Sequence, residues 1–391
     1  MNGRACVREY LKTHPLQGNV YLVAIGKAAV SMTEGALDSL GNGITRGIVI
    51  TKAGHGKYWH TAAIACLEAG HPLPDESSLA AGAALLDFIA AAPPDAQLLF
   101  LISGGASALV EVLPDEISLA DLVRVHHWLL GAGLDIAQMN HVRKALSTIK
   151  GGRLAKHLCG RTTINLLISD VPDDDPCIIG SGLLIANPDD DTPDLNLPDW
   201  ITRLIDHAPP LPLADSTCFK TIHTTIIATL TDAMHAAAES ARQKDYAVHL
   251  HKAIFNDDAM VLGERFATEL MTAEPGLHIW GGESTVVLPA KPGRGGRNQT
   301  LALAAAQKIK NRADIMVLAG ATDGTDGPTG DAGALVDGAT ILRGEQEELN
   351  AAQCLARADT GRFLEASGDL IHTGPTGTNV MDLVLGLKIL A

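Results

Sequence analysis

Short apolar runs that stop at glycine, lysine or serine alternate with longer stretches of helical spacing along nearly the whole chain, and this pattern restricts it to α/β architecture. Residues 21–25 are β-like and end at Gly26-Lys27, after which residues 28–40 have helical periodicity. Residues 47–51 form a second strand, and Ser77 is placed to cap an Ala/Leu-rich helix running to about residue 92. The buried run 98–102 empties into Ser103-Gly104-Gly105-Ala106-Ser107. Helical spacing over 118–131 and 135–149 leads into Lys150-Gly151-Gly152-Arg153, and the strand 164–168 ends at Ser169-Asp170. An Asp- and Pro-rich stretch, 188–198, has no face to bury and reads as a surface connection. Beyond it the spacing predicts a long helix over 224–244, strands at 278–280 and 286–288, a helix over 297–310, a strand at 315–318 and a closing short helix near 380–389.

With 391 residues the chain exceeds one ordinary core, and two domains are expected. Hydrophobic residues make up 46% but aromatics only 4%, so Ala, Leu, Val and Ile must build the cores, which suits helices packed on sheets. The formal net charge of -15, with no basic run to override it, argues against nucleic acid as a partner. Six dispersed cysteines form no Cys-x-x-Cys pair and read as reduced thiols. No uninterrupted apolar stretch reaches the roughly 20 residues of a membrane span, and a cytoplasmic location is expected with no membrane partner.

Four glycine-rich segments in the last third each carry a charged or hydroxyl side chain: Gly281-Gly282-Glu283, Gly295-Gly296-Arg297-Asn298-Gln299, Thr322-Asp323-Gly324-Thr325-Asp326-Gly327 and Thr373-Gly374-Pro375-Thr376-Gly377-Thr378-Asn379. Glycine beside Arg, Asp and Thr at strand ends suits bound oxyanions and a hard metal ion. Neither Gly-x-x-x-x-Gly-Lys-Ser/Thr nor Gly-x-Gly-x-x-Gly is present, so a nucleotide would use loops of a less common kind. Lys27, between a strand and a helix, is positioned to meet a phosphate, and Arg297, opening a helix, to hold a phosphoryl group. Ser103, Gly104, Gly105 and Ser107 form a candidate anion nest. The environment of Ser107 lacks the second glycine of a hydrolase elbow. Asp170, Glu283 and Asp323 are candidate metal ligands, whereas Asp326 is expected to shape the Gly327-Pro328 turn and His71 and His141 to be structural.

Taken together, these segments resemble the glycerate 2-kinase family, also labelled by the MOFRL domain name and as hydroxypyruvate reductase. The resemblance is carried by Ala24-Ile25-Gly26-Lys27-Ala28-Ala29, Gly70-His71-Pro72-Leu73-Pro74-Asp75, the Ser103–Ser107 segment, Met139-Asn140-His141-Val142-Arg143-Lys144, Lys150-Gly151-Gly152-Arg153, Ser169-Asp170-Val171-Pro172 and the four C-terminal loops. It implies two α/β domains with a cleft between them, a larger Rossmann-like N-terminal domain drawn as residues 1–205 and a smaller MOFRL-type domain, 206–391. It further implies ATP-dependent phosphorylation of D-glycerate at the 2-hydroxyl with Mg2+, and leaves room for a homodimer. Lys27 and Arg297 match the residues associated with catalysis. Ser103, Gly104, Gly105, Ser107, Asn140, Arg143, Lys150, Asn298, Thr376 and Asn379 fall in the matching motifs as substrate or nucleotide ligands, and Asp170, Glu283 and Asp323 as ligands to metal or acceptors of the hydroxyl proton. Reduction of hydroxypyruvate with NAD(P)H, or a kinase acting on another small hydroxy acid, are the alternatives. Three departures bear on substrate identity: Ala106 replaces a third glycine, Leu183 a proline and Met381 an asparagine.

Overall fold

β-branched and leucine-rich segments that end in glycine turns pair side by side in two separate sheets of the computed structural model. The structure describes residues 2–56, 59, 61–132, 134, 136–187, 195 and 197–390. Most of the 188–198 connection therefore lies outside the described residues. The chain divides into two units, Asn2–Ala228 and the part from Thr229 onward.

The first unit runs α1 (Gly3–Thr13), β1 (Val20–Ile25), α2 (Ala29–Leu40), β2 (Ile44–Lys52), β3 (Ile64–Ala69), α3 (Glu76–Ala91), β4 (Gln97–Ile102), α4 (Ala106–Leu109), α5 (Leu119–Gly131), α6 (Ile136–Ala145), β5 (Thr163–Ile168), α7 (Asp199–Ile205) and β6 (Ile222–Ala228). All its strand pairs are parallel, in the order β3-β2-β1-β4-β5-β6, the doubly wound Rossmann order. Every residue of β1 is buried, as a parallel strand covered by helices on both faces requires. Leu98, Phe100, Val23, Ile25, Leu85 and Ile89 fill the core between the sheet and α3. Asp75, rather than Ser77, caps α3, accepting from the Ser77 and Ser78 amides at 2.9 and 3.2 Å.

Two expectations change at the end of this unit. Residues 222–228, Ile-His-Thr-Thr-Ile-Ile-Ala, form β6 instead of the first turns of a long helix, because their β-branched side chains suit a pleated edge strand beside β5. Residues 206–228 thus belong with the first unit and not with the C-terminal domain. The helix begins only after Thr229, whose hydroxyl and Asp232 form a reciprocal cap.

The second unit runs α8 (Leu230–Arg242), β7 (Val248–Leu250), α9 (Ala259–Thr272), β8 (Gly276–Gly282), α10 (Arg297–Lys308), β9 (Ile315–Ala321), β10 (Gly333–Asp337), α11 (Thr340–Gln346), α12 (Ala351–Ala356), α13 (Thr360–Ser367), β11 (Leu370–Ile371) and β12 (Asp382–Lys388). Its sheet is mixed, in the order β11-β10-β9-β12-β8-β7. The Ala/Leu-rich α10 is buried from Asn298 to Ala306 and packs between α9 and the sheet. The closing segment is the central strand β12 and not a helix, since Val384 is wholly buried between two antiparallel neighbours. The strand expected at 286–288 does not form, and Val287 and Leu288 are exposed.

Candidate active site

In the first unit the winding of the sheet reverses between β1 and β4, and a crevice opens at the carboxyl ends of such a strand pair. Ile25 pairs with Ile102, so the residues that follow them, Gly26-Lys27 and Ser103-Gly104-Gly105, emerge side by side. The Lys27 amide donates to the Gly104 carbonyl at 2.9 Å, and the Ala28 amide to Ser103 Oγ at 3.0 Å. Ser103 is wholly buried and its hydroxyl ties the two loops together, so the side chain supports these loops from beneath. Gly105 has φ 86, in the left-handed region that glycine tolerates, and the Ala106 amide after it donates to the Ser103 carbonyl at 3.4 Å. A β-carbon there would stand 3.1 Å from the His71 ring and 3.3 Å from Lys27 Cγ. His71 therefore borders the loop that holds Lys27. Ser107 Oγ lies 2.8 Å from Ser181 Oγ. Ala106 does not narrow the nest, because its methyl is buried in the core with Ile102, Leu109 and Ile179. Leu183 is buried in the same core.

Other candidates of this unit separate into distinct roles. Lys150 is 1% exposed and pairs with the fully buried Glu111, which also accepts from Ser147 Oγ at 2.5 Å. A lysine spent on a buried carboxylate is structural, and the expectation that Lys150 contacts substrate is corrected. Asn140 and Arg143 lie on α6, and the half-buried Asp170 follows the end of β5. His141 is half-buried, and burial followed by Lys144 lowers its pKa, in keeping with a neutral ring.

In the second unit β12 runs antiparallel to both β8 and β9, so its first residue sits at the same sheet edge as their last ones. Asp382 pairs in register with Gly282 on one side and Ala321 on the other, which sets it between the Glu283 and Thr322-Asp323 loops. Arg297 projects from the first position of α10 and grips Asp382 in a fork, Nε to Oδ2 at 2.6 Å and Nη2 to Oδ1 at 3.0 Å, while Nη1 donates to Glu283. Burial works against the charge on Arg297, but Asp382 and Glu283 outweigh it and drive its pKa further up. Burial pushes the Asp382 carboxyl up, and the guanidinium opposes that shift.

The helix that carries Arg297 is anchored from a distance. Gly296, its N-cap, has no side chain to offer, and Asp326 instead accepts from the Asn298 and Gln299 amides at 3.0 and 2.8 Å. Asp326 is thus more than a former of the following turn. Burial pushes its carboxyl up to about 7. Asn298 is completely buried beside it, so the expectation that its side chain reaches a ligand gives way to a place in this anchor. Asp323 Oδ1 accepts from the Thr325 amide at 2.9 Å. The Thr373–Asn379 loop returns to the same edge, where Thr376 Oγ1 donates to the Thr322 carbonyl and Asn379 is buried. Met381 occupies the left-handed region at φ 64, and its carbonyl accepts from the Thr322 amide and hydroxyl at 3.0 and 2.7 Å. Among the described residues no three His, Cys, Asp or Glu side chains gather as a metal cluster.

Three positions escape a reading by residue type. His71 looks like any loop histidine before a proline, Ser181 lies in a glycine pair, and Asp382 sits in a segment whose apolar spacing suits a helix. The one available signal for Asp382 is its place in the Met381-Asp382-Leu383 motif.

A family model described as a domain of unknown function, DUF4147, matches residues 2–197, and the MOFRL family model matches residues 276–382. The chain is 34% identical to a glycerate 2-kinase of Pyrococcus horikoshii, over 96% of this chain and 89% of that protein. A D-glycerate 2-kinase of Thermotoga maritima is also 34% identical, over 95% and 91% of the two chains. So is a putative hydroxypyruvate reductase of Agrobacterium vitis, over 94% and 86%. The crystal structure of a glycerate kinase from Thermotoga maritima superposes with a TM-score of 0.85 at 31% identity, covering 100% of this chain and 96% of the other. Similarity of this extent across both units shows that the chain belongs to the glycerate kinase family, with a DUF4147 region followed by a MOFRL region.

Proposed function

We propose that this kinase transfers a phosphoryl group from ATP to the 2-hydroxyl of D-glycerate. The observation that carries the reading is the full-length similarity to proteins named glycerate 2-kinase, and the loops at the β1/β4 reversal agree with it. Phosphoryl transfer asks for positioning and charge neutralisation more than for covalent chemistry. Lys27 and the Gly104–Ser107 turn supply both for an incoming phosphate. In the second unit the fork of Arg297 is spent on Asp382, so its remaining N–H groups, held in a fixed plane, are what it offers to the phosphoryl group or to a carboxylate.

Mg2+ fits the second unit on charge. Arg297 stands among Glu283, Asp326 and Asp382, and Asp323 follows the end of β9 beside Asp382, so this end of the sheet carries more acid than base and suits a divalent cation better than a bare polyphosphate. Such an ion needs only one or two carboxylates besides phosphate and water, and Asp323 and Glu283 are our candidates. When bound it would neutralise phosphate charge. Asp170 and Asp323 are the acids we propose for the hydroxyl proton.

The reductase name carried by some relatives is not favoured. At the turn where a dinucleotide needs clustered glycines, this chain has Gly26-Lys27-Ala28-Ala29, with the Ser103 hydroxyl fixed beneath it. Among the described residues no helix is long and apolar enough to cross a membrane. We place the enzyme in the cytoplasm, where its dispersed thiols suit a reducing compartment, and a homodimer is the assembly to test by light scattering. A coupled ADP-release assay tests the main reading: turnover should require D-glycerate and Mg2+, and oxidation of NADH by hydroxypyruvate in place of ADP release would overturn it.

A further inference from the structure

The polar face of α6 carries charge that its surroundings do not balance. Asn140, Arg143 and Lys144 stand at i, i+3 and i+4 and so share one side of the helix. Arg143 Nε is buried with no acceptor among the described residues, and burial alone lowers its pKa. Lys144 Nζ donates to the neutral Asn187 Oδ1 at 2.9 Å, and its pKa is likewise lowered by burial, with Asp175 acting on it from beyond ion-pair distance. Glu111 is the only buried acid of this unit among the described residues, and Lys150 and Ser147 hold it. Among the described residues the neighbouring Arg153 bonds main-chain carbonyls alone, those of Pro209, Lys144 and Lys150. In a chain of net charge -15, two partly buried cations with no carboxylate of the described residues within ion-pair distance mark a place kept for an anion from outside.

The position of this face bears on which anion it would hold. A β-carbon on Gly151 would lie 3.5 Å from Lys144 Cδ and 3.2 Å from Asn187 Nδ2. The Gly151 amide donates to the Ser181 carbonyl at 3.0 Å, and the Ser181 hydroxyl touches Ser107 of the nest. The α6 cations therefore lie a short chain of contacts from the loop that holds Lys27. In a short 2-hydroxy acid the carboxylate is bonded to the carbon that bears the reacting hydroxyl, so its binding groups must be near the phosphoryl site yet distinct from it. We propose that Arg143 and Lys144, with Asn140 beside them, form an oxyanion subsite for the carboxylate of the hydroxy-acid acceptor, an inference that rests on the kinase reading.

Calorimetric titration with D-glycerate, alongside KM values for glycerate and ATP, tests it on wild type, Arg143→Met and Lys144→Met. Each substitution should weaken glycerate binding at least ~10-fold, the usual scale of one charge-assisted hydrogen bond, with the KM of ATP unmoved. Lys144→Arg, which keeps the charge, should retain most of the affinity and shows that loss in the methionine variant is not misfolding. Wild-type affinity in both methionine variants would overturn the subsite, and a rise in the KM of ATP alone would overturn its assignment to the acceptor. Because binding is read without turnover, a wild-type protein that binds glycerate but releases no ADP would fail the kinase reading and not this one.

Discussion

The two units bring loops to one sheet edge by opposite means. In the first, every strand runs the same way, so the β1 and β4 loops leave from carboxyl ends on either side of the winding reversal. In the second, the central β12 is antiparallel to both neighbours and presents its amino end, with Asp382, between the carboxyl ends of β8 and β9. The first arrangement sets Lys27 beside a glycine-rich turn at the end of a parallel strand. The second yields carboxylates around one arginine. On our proposal the difference divides the chemistry: a phosphate would be met by one unit, and a metal and a fixed guanidinium by the other.

Removing the lysine of the first unit should have the largest effect. Lys27→Met is expected to lower kcat about 10³-fold while leaving the unfolding midpoint within error, since we propose that the lysine acts on the phosphate rather than in packing. Steady-state kinetics beside a urea titration check it, and a comparable loss of stability would mean that Lys27 is structural. The corresponding change in the second unit should behave differently. Asp382→Ala leaves Arg297 with Glu283 alone and should cost about 3 kcal/mol of stability, read as a lower urea midpoint. If stability is unchanged, the two units do not differ in the way described.

Asp326 gives the comparison a pH axis. Its folded pKa, raised to about 7 by burial, lies above the unfolded value of ~3.9, so the folded state binds the extra proton between these limits. Its contribution to stability should therefore fall as pH rises from ~4 to ~7 and level off above, by about 4 kcal/mol. Urea midpoints across this range should lose that slope in Asp326→Asn. A smaller effect is expected at the nest, where Gly105→Ala places a β-carbon at φ 86 against His71 and Lys27 and should cost ~1–2 kcal/mol together with a raised KM for ATP. Smallest is Ser107→Ala, which removes the hydrogen bond to Ser181 and should lower stability by ~1 kcal/mol in the same titration.

The first unit was largely legible in the sequence because parallel strands are buried on both faces and write themselves as unbroken apolar runs, as residues 20–25 and 98–102 do. The turns after them, Gly26-Lys27 and Ser103-Gly104-Gly105, stand out in the sequence for the same reason. What failed there was burial: nothing in Lys150-Gly151-Gly152-Arg153 says that Lys150 faces Glu111, a partner many residues away. The second unit hid more. Half-buried strands such as Asp382–Lys388, with glycine inside and leucine at short intervals, satisfy helical spacing as well as pleated spacing, so the strand that carries Asp382 was read as a helix. Residues 222–228 failed in the reverse sense, their β-branching outvoted by the helix that follows. Asp326 at the start of α10 was beyond reach, because a cap supplied by a distant loop leaves no local signature.

The identity of the product is the most direct test of phosphoryl transfer to the 2-hydroxyl. Phosphorus NMR of a reaction containing wild-type protein, ATP, Mg2+ and D-glycerate should show one new phosphomonoester on the 2-oxygen, absent with Lys27→Met. A phosphate on the 3-oxygen, or no new ester from protein that binds both ligands, would contradict it.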